Sequence, residues 1–232
     1  MPTAILIDGE FFLWRHQAVF GKAPAADVAK AMHRMCLEHL RQPVAGQRNK
    51  DRKKEFERRD LYRIFFYDCP PLTKRVHNPI SKKHIDFSKT PTAEWRLAFH
   101  DELKKLRKVA LRLGYLNERS GSWVLKPTKM KELLGRTITV DELTDNDVRY
   151  DVMQKGVDMR LGLDIASLAF KRQVDQIILV SGDSDFVPAA KLARREGIDF
   201  ILDPLWASIR PDLLEHVDGM RTIWPKKSER DG

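Results

Sequence analysis

Short apolar runs, each closing at or just before an aspartate, alternate along this chain with stretches of helical period. Residues 3–7 form the first run and end at Asp8-Gly9. The second, 61–67, is rich in aromatic and β-branched residues, ends at Asp68 and is stopped by Pro70-Pro71. A third covers 176–181 and passes into Gly182-Asp183, and a fourth covers 199–202 and ends at Asp203. Runs this short and this continuously apolar predict strands buried on both faces. A weaker run at 222–224 predicts a short fifth.

Helical period fills much of the remainder. Residues 25–40 open after Pro24 and carry Val28, Met32, Met35 or Cys36, and His39 or Leu40 on one stripe. Residues 94–113 place Trp95, Phe99, Leu103, Leu106 and Ala110 on one face, with Gly114 as a stop. Residues 150–170 and 186–196 complete the helical set, the last ending at Gly197. Residues 115–126 suit a small hairpin turning at Ser120-Gly121-Ser122, 42–60 a polar loop or solvated helix start, and 79–91 an excursion from the core. Helices precede three of the four clear strands, which predicts an α/β fold with a parallel sheet flanked by helices.

Charge adds a partner class. The chain carries 42 Lys and Arg against 33 Asp and Glu, a net charge of +9, which favours a polyanion through counterion release. Two basic stretches stand out. Arg48, Lys50, Arg52, Lys53 and Lys54 form one; Lys82 and Lys83, near His84 and Phe87, form the other. Cations with interleaved aromatics suit RNA, and the plain alternative is a solvated loop. The two cysteines make no disulfide framework. There is no leader pattern and no apolar stretch of membrane length, so the expected setting is cytoplasmic, with no membrane partner. A homo-oligomer is compatible with this pattern and not specified by it. His33-x-x-Cys36-x-x-His39 is a poor zinc site, because His39 rotates off the face of the first two and no fourth ligand is evident. Phosphate-binding P-loop, dinucleotide and serine-hydrolase fingerprints are absent from the sequence.

Candidate chemistry lies in the aspartates. All C-terminal strand edges of a parallel sheet face one side, so Asp8, Asp68, Asp183 and Asp203 are expected to converge on one rim. Any one of them alone reads as a cap or turn residue; four with Asp185 read as a functional cluster. Asp183 and Asp185 bracket a strand-to-helix turn after Ser181-Gly182, where both can reach one hard divalent ion, whereas a helix cap needs only one acid. Asp158 opens the stripe Leu161, Ile165, Leu168, where a carboxylate wants a cation: Lys155 or a metal. Asp164 flanks the same stripe. Several acids without a His or Cys nucleophile point to metal-assisted hydrolysis.

Three segments carry a family resemblance. Ile5-Leu6-Ile7-Asp8-Gly9-Glu10, then Lys155-Gly156-Val157-Asp158 with Leu161 and Asp164, then Val180-Ser181-Gly182-Asp183-Ser184-Asp185-Phe186 resemble the three signatures of NYN domains. These are PIN-like domains related to bacterial LabA-type proteins, and the likeness spans residue 3 to about residue 205. It implies a Rossmann-like parallel sheet in a single domain over 1–224, with insertions at about 43–60 and 70–150 and a flexible tail at 225–232. It also implies a Mg²⁺- or Mn²⁺-dependent ribonuclease, with Asp8, Asp158, Asp183 and Asp185 catalytic and metal-holding. Glu10, Asp68, Asp164, Lys155 and Ser181 are the accessory candidates. In the first signature, the Asn that usually follows Asp-Gly is replaced here by Phe11-Phe12, which puts more weight on Glu10. The alternative is a catalytically weakened module of the same fold that binds RNA or serves as a scaffold.

Overall fold

A computed structural model describes residues 2–43 and 56–226. The basic run at 48–54 and the tail from 227 lie outside the described residues. By internal contacts the chain forms two compact units. The first draws on the described parts of Met1–Asp68, Ala98–Leu113 and Gly156–Gly232; the second draws on Cys69–Leu97 and Gly114–Lys155.

The first unit is built on a six-stranded sheet. Its strands are β1 (Thr3–Asp8), β2 (Leu61–Asp68), β3 (Val109–Leu113), β4 (Gln176–Val180), β5 (Asp199–Asp203) and β6 (Gly219–Met220). They lie in the order β3-β2-β1-β4-β5-β6, every neighbouring pair parallel. Ile5 aligns with Ile64 on one side and Ile178 on the other. Ala4 to Ile7 and Ile177 to Val180 are fully buried, as strands covered on both faces must be. The strand order reverses between β1 and β4, and in such sheets the crevice beyond the C-terminal edges opens at that reversal.

Helices cover both faces. α1 (Gly9–Phe20) and α2 (Ala25–His39) follow β1; α3 (Pro91–Lys105) precedes β3; α4 (Pro127–Leu134) belongs to the second unit; α5 (Val157–Phe170) precedes β4; α6 (Val187–Arg195) precedes β5; and α7 (Pro211–Leu214) precedes β6. On one face Leu161, Ile165, Leu168, Ala190 and Ala193 pack with Leu6, Phe65, Leu179 and Phe200. On the other, Phe66 meets Phe12 edge-on at 5.8 Å and Phe99 at 5.4 Å. Burial of these side chains is the main stabilising term, about 25 cal/mol per Å² of apolar surface.

Four expectations about single elements are corrected. The helix placed at 94–113 ends at Lys105; Lys108 takes a left-handed φ of 61°, and Val109–Leu113 joins the sheet as its edge strand. Leu106 and Ala110 continue the helical period, so period alone missed the break. The hairpin at 115–126 does not pair with itself. Tyr115–Leu116 pairs with Gln154–Lys155, and Ser122–Leu125 pairs with Val148–Asp151. The helix placed from 150 therefore begins at Val157, after Gly156 at φ 80°. The last strand is Gly219–Met220 rather than 222–224, since Ile201 pairs with Gly219. Three helices were not expected: α1, where Phe11, Phe12, Leu13, Trp14, Val19 and Phe20 spread around the axis and leave no single stripe to read, and the shorter α4 and α7.

The second unit carries short antiparallel ribbons around Tyr150. Its ring centroid lies 5.5 Å from Trp123 and 5.6 Å from Phe87, and Lys74 Nζ donates to its hydroxyl at 3.1 Å.

Candidate active site

The site grows from the ends of β1 and β4, the two strands at the reversal. Asp8 closes β1 and caps α1, accepting the Phe11 backbone N–H at 3.2 Å. The Ser181 hydroxyl, just beyond β4, donates to its other oxygen at 3.1 Å. Burial raises the Asp8 carboxyl to about 6; the two donors oppose that rise, and the charges of Asp158 and Glu10 add to it. The turn from strand to helix at Gly9 is tight. A Cβ there would press against the Tyr67 carbonyl and come within 2.6 Å of the Phe66 ring.

Beyond β4 the chain folds over itself in small steps. Ser181 Oγ accepts the Asp183 N–H at 3.2 Å, and Asp183 Oδ1 accepts the Asp185 N–H at 2.9 Å. These bonds shape the short turn Ser184–Phe186 that leads into α6, with Phe186 buried as its anchor. At Gly182 a Cβ would come within 2.9 Å of the Phe11 ring, so Phe11 covers this turn. Asp183 and Asp185 are both exposed.

Asp158 sits in the first turn of α5 and is exposed. Partial desolvation raises its carboxyl above the usual range, and the charges of Asp183, Asp185 and Glu10 raise it further. Asp8, Glu10, Asp158, Asp183 and Asp185 thus lie within electrostatic reach of one another at the reversal of the sheet.

The other candidates lie elsewhere. Asp68 is 1% exposed and paired with His100 Nε2 at 2.7 Å; Asp203 is 0% exposed and paired with His39 Nε2, also at 2.7 Å. Both are strand-end acids turned inward onto helix histidines, a partnership with no local sequence signal because the partners are 32 and 164 residues away. Asp164 accepts from Tyr67 Oη at 2.8 Å and meets Arg112 Nε at 3.1 Å. Lys155 belongs to a ribbon of the second unit, as do the exposed Lys82 and Lys83; Lys82 Nζ donates to the Pro79 carbonyl at 2.7 Å. Sequence reasoning did not foresee that the Phe11 backbone would serve Asp8. Among the described residues no three His, Cys, Asp or Glu side chains are placed to enclose one metal ion.

Sheet order and acidic rim together define a Rossmann-like α/β protein of PIN-like architecture. The chain matches the NYN domain model over residues 85–218, more than half its length, and belongs to the NYN domain family. The matched span contains Asp158, Asp183 and Asp185; Asp8 and Glu10 precede it. The fold is therefore a PIN-like nuclease fold. A crystal structure of a protein of unknown function from Vibrio parahaemolyticus is similar at 14% identity, covering 96% of this chain and 93% of that one with a TM-score of 0.47. Among curated proteins none matches. No helix among the described residues is long and apolar enough to cross a membrane.

Proposed function

We propose that this protein is a metal-dependent endoribonuclease that hydrolyses RNA phosphodiester bonds at the acidic rim beyond β1 and β4. The observation that carries the reading is the gathering of Asp8, Glu10, Asp158, Asp183 and Asp185 at the reversal of the sheet, where burial first and neighbouring acids second raise the carboxyls of Asp8 and Asp158. Carboxylates kept this close without a cation are mutually repulsive, and a divalent ion relieves that repulsion.

The residues fit such an ion in chemistry. The charged side chains gathered at the rim are carboxylates, whose oxygens suit Mg²⁺ or Mn²⁺. Mg²⁺ keeps most of its water and takes one or two protein carboxylates together with substrate phosphate, so a three-ligand protein cage is not required. Asp8, Asp158, Asp183 and Asp185 are the residues that would hold it. A bound ion supplies activation of water and neutralisation of charge on the reacting phosphodiester.

The remaining work falls to the chain itself. Ser181 and the Phe11 N–H hold the Asp8 carboxylate in one orientation. Asp183 and Asp185, fixed by the turn, face solvent where a strand of RNA can enter. The basic run Arg48, Lys50, Arg52, Lys53, Lys54 and the pair Lys82, Lys83 supply phosphate contacts in a cytoplasmic setting. A second reading, an RNA-binding module with weakened chemistry, is favoured by the Phe11 ring against Gly182, where the family usually carries a polar side chain.

The test is a cleavage assay on single-stranded and structured RNA with Mg²⁺ or Mn²⁺ against EDTA, with Asp183→Asn run beside the wild type. Metal-dependent cutting lost in the variant while RNA affinity persists is the expected result. RNA binding without cutting under any metal would replace the enzyme with the binding module.

A further inference from the structure

The first unit carries a second, chemically different recess. A cleft of about 360 Å³ opens between α5 and the strands β2 and β3, and the acids of the rim do not line it. Its walls hold Arg63, Arg112, Lys171, Asp164, Tyr62 and Phe65. That volume lies within the range of small-ligand sites, about 300–1,000 Å³.

Charge and rings narrow its occupant. The one carboxylate, Asp164, is already engaged by Arg112 and the Tyr67 hydroxyl. Arg63 and Lys171 are exposed and form no ion pair among the described residues, so the cleft carries excess positive charge. The Arg112 guanidinium lies over the Phe65 ring, 5.5 Å from its centroid, and Tyr62 stands 6.5 Å from Phe65 at a 34° tilt. The lining therefore offers cations for a phosphate and aromatic side chains for a flat ring. Aromatic stacking beside a cationic track is how sequence-tolerant nucleic-acid sites hold single strands. α5 links this cleft to the rim, since Asp158 lies in its first turn and Asp164 a turn and a half further on.

We infer that the cleft between α5 and the β2–β3 edge binds a nucleotide, with phosphate on Arg63 and Lys171 and the base against Tyr62, as a second contact for the RNA strand whose cleavage is proposed above. It rests on that reading for its source, an RNA strand, while a free mononucleotide has the same chemistry.

The test uses the full chain and the double variant Arg63→Glu/Lys171→Glu, both exposed positions, with unfolding curves confirming the fold. Binding of a single-stranded RNA of about 12 nucleotides is measured across a salt series. The variant is expected to bind about tenfold more weakly, with a log Kd against log salt slope reduced by about 0.7, the value for one lost phosphate contact on a single strand. In parallel, 5′-AMP is titrated while the backbone amides of Tyr62 and Ser167 are followed by NMR. AMP binding lost in the variant, with unchanged RNA affinity, would assign the cleft to a free mononucleotide. Unchanged RNA affinity and slope together with no AMP response would overturn the inference. Both arms are read without cleavage. A wild type that cuts RNA but fails both arms loses the cleft and keeps the nuclease; one that passes an arm but never cuts keeps the cleft and loses the nuclease.

Discussion

The hydroxyl of Ser181 donates to the carboxylate of Asp8 at 3.1 Å, joining the ends of β1 and β4 where the sheet order reverses. The same oxygen accepts the Asp183 N–H, so one side chain both lowers the Asp8 carboxyl against the effect of burial and shapes the start of the acidic turn. Ser181→Ala removes a donor that favours the charged Asp8. The Asp8 titration is expected to move further up from about 6, and cleavage at pH 6 to fall several-fold more than cleavage at pH 8. A uniform loss at both pH values would show that Ser181 serves the turn alone.

Asp8 makes the metal-free protein sensitive to pH in a defined direction. Its folded carboxyl is raised from 3.8 to about 6, so the folded state favours the protonated form. That contribution is fully present below pH 3.8 and is lost as pH rises through about 6. In EDTA, stability should therefore decline by the order of 1–3 kcal/mol across this window relative to Asp8→Asn, which can still accept the Phe11 N–H. Added Mg²⁺ should reverse the trend in the wild type. Denaturant unfolding at pH 4, 6 and 8 checks this, and parallel curves for the two proteins would count against it.

Much of this arrangement was legible in the sequence because strand ends are punctuated. Asp8-Gly9 and Ser181-Gly182-Asp183 mark close backbone approaches that chain chemistry announces: Gly9 against the Tyr67 carbonyl and Gly182 against the Phe11 ring. The strand-end rule then over-reached. Asp68 and Asp203 have the same local pattern as Asp8, yet each is drawn inward by a histidine on a distant helix, and only tertiary structure supplies that partner. β3 was hidden for a related reason. Val109–Leu113 keeps helical period after Leu103 and becomes a strand because Lys108 turns the chain onto the edge of β2.

The two kinds of aspartate should respond oppositely to the same change. Asp203 is buried against His39 and also accepts the Leu205 N–H at 2.9 Å, so Asp203→Asn weakens a buried hydrogen-bonded pair and should cost about 2–4 kcal/mol. Asp158 is held among like charges, so Asp158→Asn should leave the metal-free protein as stable or more stable while removing the benefit of added Mg²⁺. Melting curves with and without metal separate the two. Equal destabilisation by both substitutions would mean that the rim acids are structural.

The basic run outside the described residues gives a separate handle on affinity. Reversing Arg48, Lys50, Arg52, Lys53 and Lys54 should weaken RNA binding and flatten its salt dependence, because each lost phosphate contact removes about 0.7 from the slope for single strands. Cleavage at saturating RNA should change little. An unchanged slope would remove this run from the interface.

Phe11 decides between the two readings of the site. Its backbone N–H holds Asp8 while its ring covers Gly182, so the side chain and the main chain perform different tasks. Phe11→Asn keeps the backbone donor and replaces the ring with a polar group beside the Asp183 turn. The ring is partly buried, so the substitution should cost about 1–2 kcal/mol of stability. If the acids alone suffice for hydrolysis, cleavage by the wild type is already substantial and the variant gains less than about threefold, under 1 kcal/mol of barrier. A gain of about a hundredfold from a nearly inactive wild type would show that the ring suppresses the chemistry and that this chain works mainly as an RNA-binding module. The comparison is made on kcat at saturating RNA and Mg²⁺, which separates an effect on the reacting phosphate from one on strand binding.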